Sequence, residues 1–165
     1  MEPGEALGVA AQIAVALAGF AGVVVVFRRE SVHEWSPIDK VRLRFLLANS
    51  ILPLGLCMIG LLLLTIKPIP PAVWRWCSAI EFVVFLLFVV IMNKAFRRLG
   101  VRKVQREGGS RFMLYLFGAF GTAAILLQLY NLALPGAFWP FFAGIVFQLV
   151  AAMAQFARMI LLLPE

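Results

Sequence analysis

Glu81 is the residue whose type and setting demand chemistry. It stands a few turns inside a long apolar run, Trp74–Phe96, which reads WRWCSAIEFVVFLLFVVIMNKAF. No other acid lies well within a hydrophobic segment of this chain. A charge in hydrocarbon costs at least about 2.5 kcal/mol on insertion scales, so such a carboxyl needs a proton, a partner or a water-filled cavity. Gln12, Gln128 and Gln148 fall at comparable depth in three other apolar segments, counting 1.5 Å of rise per helical residue.

Spacing groups these residues into faces. Trp74, Ser78, Glu81, Phe85 and Phe88 recur three and four apart, as do Gly121, Ala124, Gln128 and Asn131. Gly144, Gln148, Ala151, Gln155 and Arg158 form a third such row. Side chains at that spacing share one side of a helix. The pattern predicts a helical bundle in which Glu81, Gln128 and Gln148 face one another, with Gln12 in the same polar site.

Two readings of that constellation compete. In the first it is an intramembrane site for a proton, a cation or a polar solute. In the second an uncharged Glu81 donates to a glutamine carbonyl and fixes helix register; such bonds average only about 0.6 kcal/mol in membrane proteins, yet they specify partners. The structural reading is preferred, because Glu81 has no second carboxylate at its depth and one acid is thin evidence for transport. A further polar set, Asn49, Ser50, Asn93, Gln155 and Arg158, sits toward the other membrane face, where Arg158 can snorkel to the interface.

Other chemistry finds no footing. His33 is the sole histidine and lies in a charged loop, which excludes a bis-histidine haem within one chain. Metal-ligand spacings of His, Cys and carboxylates are missing, and so are HExxH, GxSxG and a glycine-rich phosphate loop. The chain therefore reads as a non-enzyme with no cofactor and no metal. Cys57 and Cys77 lie within apolar segments at different depths, so they are expected to stay unpaired as small apolar fillers.

The elements that position these residues follow from composition. The chain has 165 residues, 63% of them hydrophobic and 14% charged, with a mean hydropathy of +0.97. Soluble domains are about 45–50% apolar, and so few charges cannot solvate a globular surface of this size. The apolar runs are long and unbroken, which means helices and not barrel strands. They predict an all-α integral membrane protein, a single bundle of five transmembrane helices with no soluble domain. The spans are about 6–27, 43–66, 72–93, 112–134 and 138–163.

Local signals set the boundaries. Ser36-Pro37-Ile38-Asp39 is a helix start, with Ser36 as cap, Pro37 at the first helical position and Asp39 near the positive end of the dipole. Pro53 predicts a kink, with Asn49 and Ser50 available to the freed backbone groups. Gly100 is placed to end the third helix.

Orientation follows from charge. Five Lys and Arg residues lie between positions 28 and 44 and seven between 94 and 111, twelve of the fifteen in the chain. A net charge of +7 would suggest nucleic acid for a soluble protein; here no nucleic-acid partner is expected, because the charges obey the positive-inside rule. Glu2 and Glu5 precede the first span and Arg28 and Arg29 follow it, the reverse of a cleavable signal. The N-terminus is therefore expected outside and the C-terminus in the cytoplasm. Trp74, Trp76 and Trp139 would form the outer aromatic belt, with Trp35 on the inner side. Arg102, Lys103 and Arg106 are candidates for contact with anionic headgroups, about 1 kcal/mol each, although orientation alone explains them.

The first span is rich in small residues, among them Gly8, Gly19 and Gly22. Small side chains let a neighbouring helix approach closely, so this face predicts a partner, either a second copy or another membrane protein. The stretch from Gly19-Phe20-Ala21-Gly22 through Arg28-Arg29, then Trp35, Asp39 and Arg42-Leu43-Arg44, resembles small bacterial membrane proteins over about the first third of the chain; the resemblance implies no activity. The expectation is a multi-pass protein of a bacterial inner membrane, in contact with lipid, acting as a non-enzymatic structural or accessory subunit of an oligomeric complex. The alternative is an oligomeric ion or small-solute channel or transporter built around Glu81.

Overall fold

The computed structural model describes residues 2–27, 34–66, 68, 72–99, 111–134 and 136–161. Their regular structure is entirely helical: α1 (Pro3–Phe27), α2 (Pro37–Leu64), α3 (Val73–Leu99), α4 (Arg111–Ala133) and α5 (Phe138–Leu161). Four of these, α1, α2, α3 and α5, are long and apolar enough to cross a bilayer; the corresponding apolar part of α4 is the shorter Gly118–Ala133. Composition and these four helices mark a multi-pass membrane protein.

Burial follows the solvent logic of lipid. Large apolar side chains face outward on every helix, including Val15, Met58, Leu87, Leu126 and Val150. Ser78, Glu81, Gln128, Asn131 and Gln148 are buried inside. In water the reverse arrangement is favoured. In hydrocarbon an apolar surface is at home and polar groups turn toward one another.

The hub of the bundle is α5, which packs against each of the other four helices. Half of its membrane-length window is buried, against 22% for α3, whose Glu81 had made it the natural centre of the sequence. The reason is that α5 has two working faces. Phe141, Ile145, Leu149 and Ala152 join the main apolar core with Leu7, Ala10, Ala14 and Leu17 of α1 and Leu46, Leu56 and Cys57 of α2. Its other face, with Gly144 and Gln148, carries the polar residues. Among the described residues no side chain of α4 joins that apolar core, and those buried are Ala124, Gln128 and Asn131.

The start of α2 forms as its sequence dictates: the Asp39 amide donates to Ser36 Oγ at 3.2 Å and Pro37 opens the first turn. Arg42 then pairs with Asp39 at 3.2 Å. Pro53 lies buried within α2, which runs unbroken past it. Asn49 and Ser50 do not turn to the carbonyl that Pro53 frees. They bond back to Phe45 O and Leu46 O, both at 2.9 Å, the usual way short polar side chains satisfy themselves in an apolar helix. Trp35, expected on the inner side, packs inward. It is 2% exposed and part of the core. Trp76 and Trp139 do face outward. Gly100, Arg102, Lys103 and Arg106 lie outside the described residues.

Candidate functional site

The site is built where α3, α4 and α5 converge, one to three turns below the turns that join α2 to α3 and α4 to α5. Its upper rim is a hydrogen-bonded brace. Asn131 of α4 donates through Nδ2 to Ser78 Oγ of α3 at 2.7 Å and to the Ala137 carbonyl at 2.9 Å. Its Oδ1 accepts from the Ala137 amide at 2.8 Å. One side chain thus ties α3, α4 and the turn into α5. Arg75 Nη2 adds a bond to the Leu134 carbonyl at 3.0 Å. The turn passes through Gly136 at φ 57°, a left-handed conformation that glycine adopts without strain. A Cβ there would also lie 2.9 Å from Arg75 Cγ.

Below the brace sits Glu81, fully buried, on the inward face of α3 with Ser78 and Phe85. Gly144 of α5 makes room for its carboxyl. A Cβ on Gly144 would collide with Glu81 Oε1 and lie 2.7 Å from both Glu81 Cδ and Gln128 Nε2. The carboxyl of α3 and the amide of α4 therefore meet over the one residue of α5 that has no side chain. Cys57 of α2 and Cys77 of α3 are both buried free thiols. Gln148 follows Gly144 by one turn on the same face and is 1% exposed.

Hydrogen bonding at this level is lopsided. Gln128 Nε2 donates to the Pro140 carbonyl, in the first turn of α5, at 2.8 Å. That bond fixes the amide and leaves Gln128 Oε1 as an acceptor without a donor. Gln148 Oε1 and both oxygens of Glu81 are in the same condition among the described residues. A buried polar atom without a partner costs about 1–3 kcal/mol, so these four oxygens call for a proton on Glu81 or for the remaining amide N–H groups of the two glutamines.

Gln12 does not belong to it. Its residue is exposed on α1, on the side opposite the buried Ala10, Ala14, Leu17 and Ala21. Depth alone had grouped it with Glu81; rotation of about 100° per residue separates them. Gly19 and Gly22 are exposed too, with nothing of the bundle near their missing Cβ, and Gly8 is half-buried with the same open space. At the opposite end, Gln155 is buried with an unpartnered Oε1. Among the described residues no group of three His, Cys, Asp or Glu side chains is arranged to hold a metal.

Sequence reasoning placed Glu81, Gln128 and Gln148 on inward faces. It missed the role of Gly144. The signal was present: a glycine in the same row as Gln148, on a helix facing a buried acid. Beside Gly144 an apolar groove between α4 and α5, of about 330 Å³, is lined by Phe120, Ala124, Leu127, Ala143 and Phe147 among others. Comparison with protein families, with curated proteins and with solved structures finds no match for this chain.

Proposed function

We propose that this chain is a five-span membrane protein, N-terminus outside and C-terminus in the cytoplasm, that serves as a non-enzymatic structural or accessory subunit of an oligomeric membrane complex. The observation that carries the reading is the outward row on α1. Gln12, Gly19 and Gly22 share the face turned away from the bundle, and Gly8 stands at its edge. An amide facing lipid gives up hydrogen bonds that another helix can restore, and glycines beside it let that helix come close. Interhelical bonds of this kind contribute about 1–2 kcal/mol in model peptides. The occupant of that face is a transmembrane helix of a second copy or of a partner protein.

Substitution tests it directly. Gln12→Leu and Gly22→Leu, neither of which touches the core of the bundle, should lower the mass of the detergent-solubilised complex while the monomer keeps its helical content. Wild-type mass in both variants refutes the assembly role of α1.

A second reading is favoured by one specific observation, the unpartnered carboxyl of Glu81. Intramembrane acids mark proton and ion pathways, and this one meets the Gln128 amide nitrogen over Gly144. In that reading the protein passes a proton or a small cation, and the charge of Glu81 appears at some step. Glu81→Gln then keeps the fold and abolishes flux in reconstituted vesicles, while Glu81→Asp retains part of it. Wild-type vesicles that pass no ion remove this reading.

A further inference from the structure

We propose that α4 is a gate over Glu81: its first half swings away from α5 about the hydrogen-bonded brace at its last turns, and the swing opens a way to the carboxyl. The helix is held unevenly. It packs substantially against α3 and α5 only. Among the described residues, the hydrogen bonds that tie it to its neighbours lie in its last two turns or just after them. Gln128 donates to Pro140, Asn131 bonds to Ser78 and Ala137, and Arg75 donates to the Leu134 carbonyl.

Burial stops at nearly the same level. The buried residues of α4 are Ala124, Gln128 and Asn131, and from Tyr115 to Ala123 no described side chain is buried. A Cβ added at Gly118 or Gly121 would meet nothing within 4 Å. Thr122 turns back to its own helix, donating to the Gly118 carbonyl at 2.9 Å. Segments with few buried apolar contacts are at the low-stability end of a fold and open locally. A rigid helix fixed at one end and unpacked at the other pivots on the fixed end.

Room for the motion lies beside the unpacked half. The groove between α4 and α5 is about 330 Å³, and Phe120 stacks on Phe147 at its edge with ring centroids 6.1 Å apart. Gly144 belongs to both the groove and the polar junction. It lines the groove together with Ala124 and Leu127 of α4, and the place of its missing Cβ lies against the Glu81 carboxyl. With α4 closed, Glu81 is fully buried. Moving Ala124 and Leu127 outward leaves the bare backbone of Gly144 beside the carboxyl, with no side chain of its own to shield it.

Spin labels in a chain lacking Cys57 and Cys77 test the motion. Labels on Tyr115→Cys and Val26→Cys report the first half of α4, and labels on Tyr130→Cys and Val9→Cys report its braced end; all four native side chains are exposed. The first pair should give a broad or two-peaked distance distribution and the second a narrow one. Two narrow distributions, or broadening at both ends, would overturn the hinge. Dicyclohexylcarbodiimide, which labels carboxyls in apolar surroundings, tests the gate. The wild type suffices for the first step: Glu81 should be labelled although the closed bundle buries it, and an unlabelled Glu81 overturns the proposal. Ala123→Cys and Ala143→Cys, joined across the groove by a short crosslinker bound through disulfides, should then slow labelling about tenfold, because only the open fraction reacts. Reduction should restore the rate. The same two cysteines capped separately occupy the groove without pinning α4 and should slow it much less. Equal rates in joined and reduced protein, or caps as effective as the crosslink, would overturn the gate.

Discussion

Gly144→Ala is the sharpest perturbation of the helix junction. The alanine methyl would take the place of Glu81 Oε1 and stand 2.7 Å from Gln128 Nε2. Contacts that close force either the side chains or the helices to move. Both side chains are fully buried, and the amide is anchored to Pro140, so neither has a free direction in which to retreat. Overpacking of this kind typically costs about 1–3 kcal/mol. Replacing a glycine in mid-helix returns about 1 kcal/mol. The net expectation is a loss of about 1 kcal/mol, reaching about 2 if α5 must shift. The assay is equilibrium unfolding in mixed micelles, followed by far-ultraviolet circular dichroism. The control is the same substitution in a Glu81→Ala background, where the largest obstruction is gone. There Gly144→Ala should become neutral or stabilising, giving a coupling of about 1 kcal/mol or more between the two positions. A Gly144→Ala protein as stable as wild type, or one destabilised equally in both backgrounds, refutes the close approach of Glu81 to α5.

Two further outcomes follow from the geometry. Asn131→Ala removes three hydrogen bonds, and at about 0.6 kcal/mol each it should destabilise by about 2 kcal/mol. Ser78→Ala removes one of them and should lose only about 0.6 kcal/mol; equal losses in the same unfolding assay would refute the brace. For orientation, single cysteines are introduced at positions 40 and 75 in a chain lacking Cys57 and Cys77. An impermeant thiol reagent applied to intact cells should label position 75 and spare position 40, and the opposite pattern refutes the charge-based topology.

The sequence by itself determined that the chain is helical and that its surface is apolar. Long unbroken hydrophobic runs admit no other backbone solution in lipid, because every amide must bond within its own segment. It also determined which faces turn inward. Ser78, Glu81 and Phe85, or Gly144, Gln148 and Gln155, recur at helical spacing, and burying polar groups together is the only way lipid tolerates them. The start of α2 was readable because capping is a contact between neighbours in the chain.

What the tertiary structure alone decided is which faces meet. Gln12 has the depth and the chemistry of the buried glutamines, yet α1 packs through Ala10, Ala14, Leu17 and Ala21 and leaves it outside. Trp35 follows a charged segment in the chain and packs into the core. Its buried acid suggested α3 as the centre, whereas α5 touches every other helix. These outcomes depend on pairing between segments far apart in sequence, and helical periodicity fixes only the rotation of each helix about its own axis. Gly144 shows the same limit at one residue. Its row was legible, but the reason it must lack a side chain lies in the carboxyl of Glu81, sixty-three positions earlier in the chain.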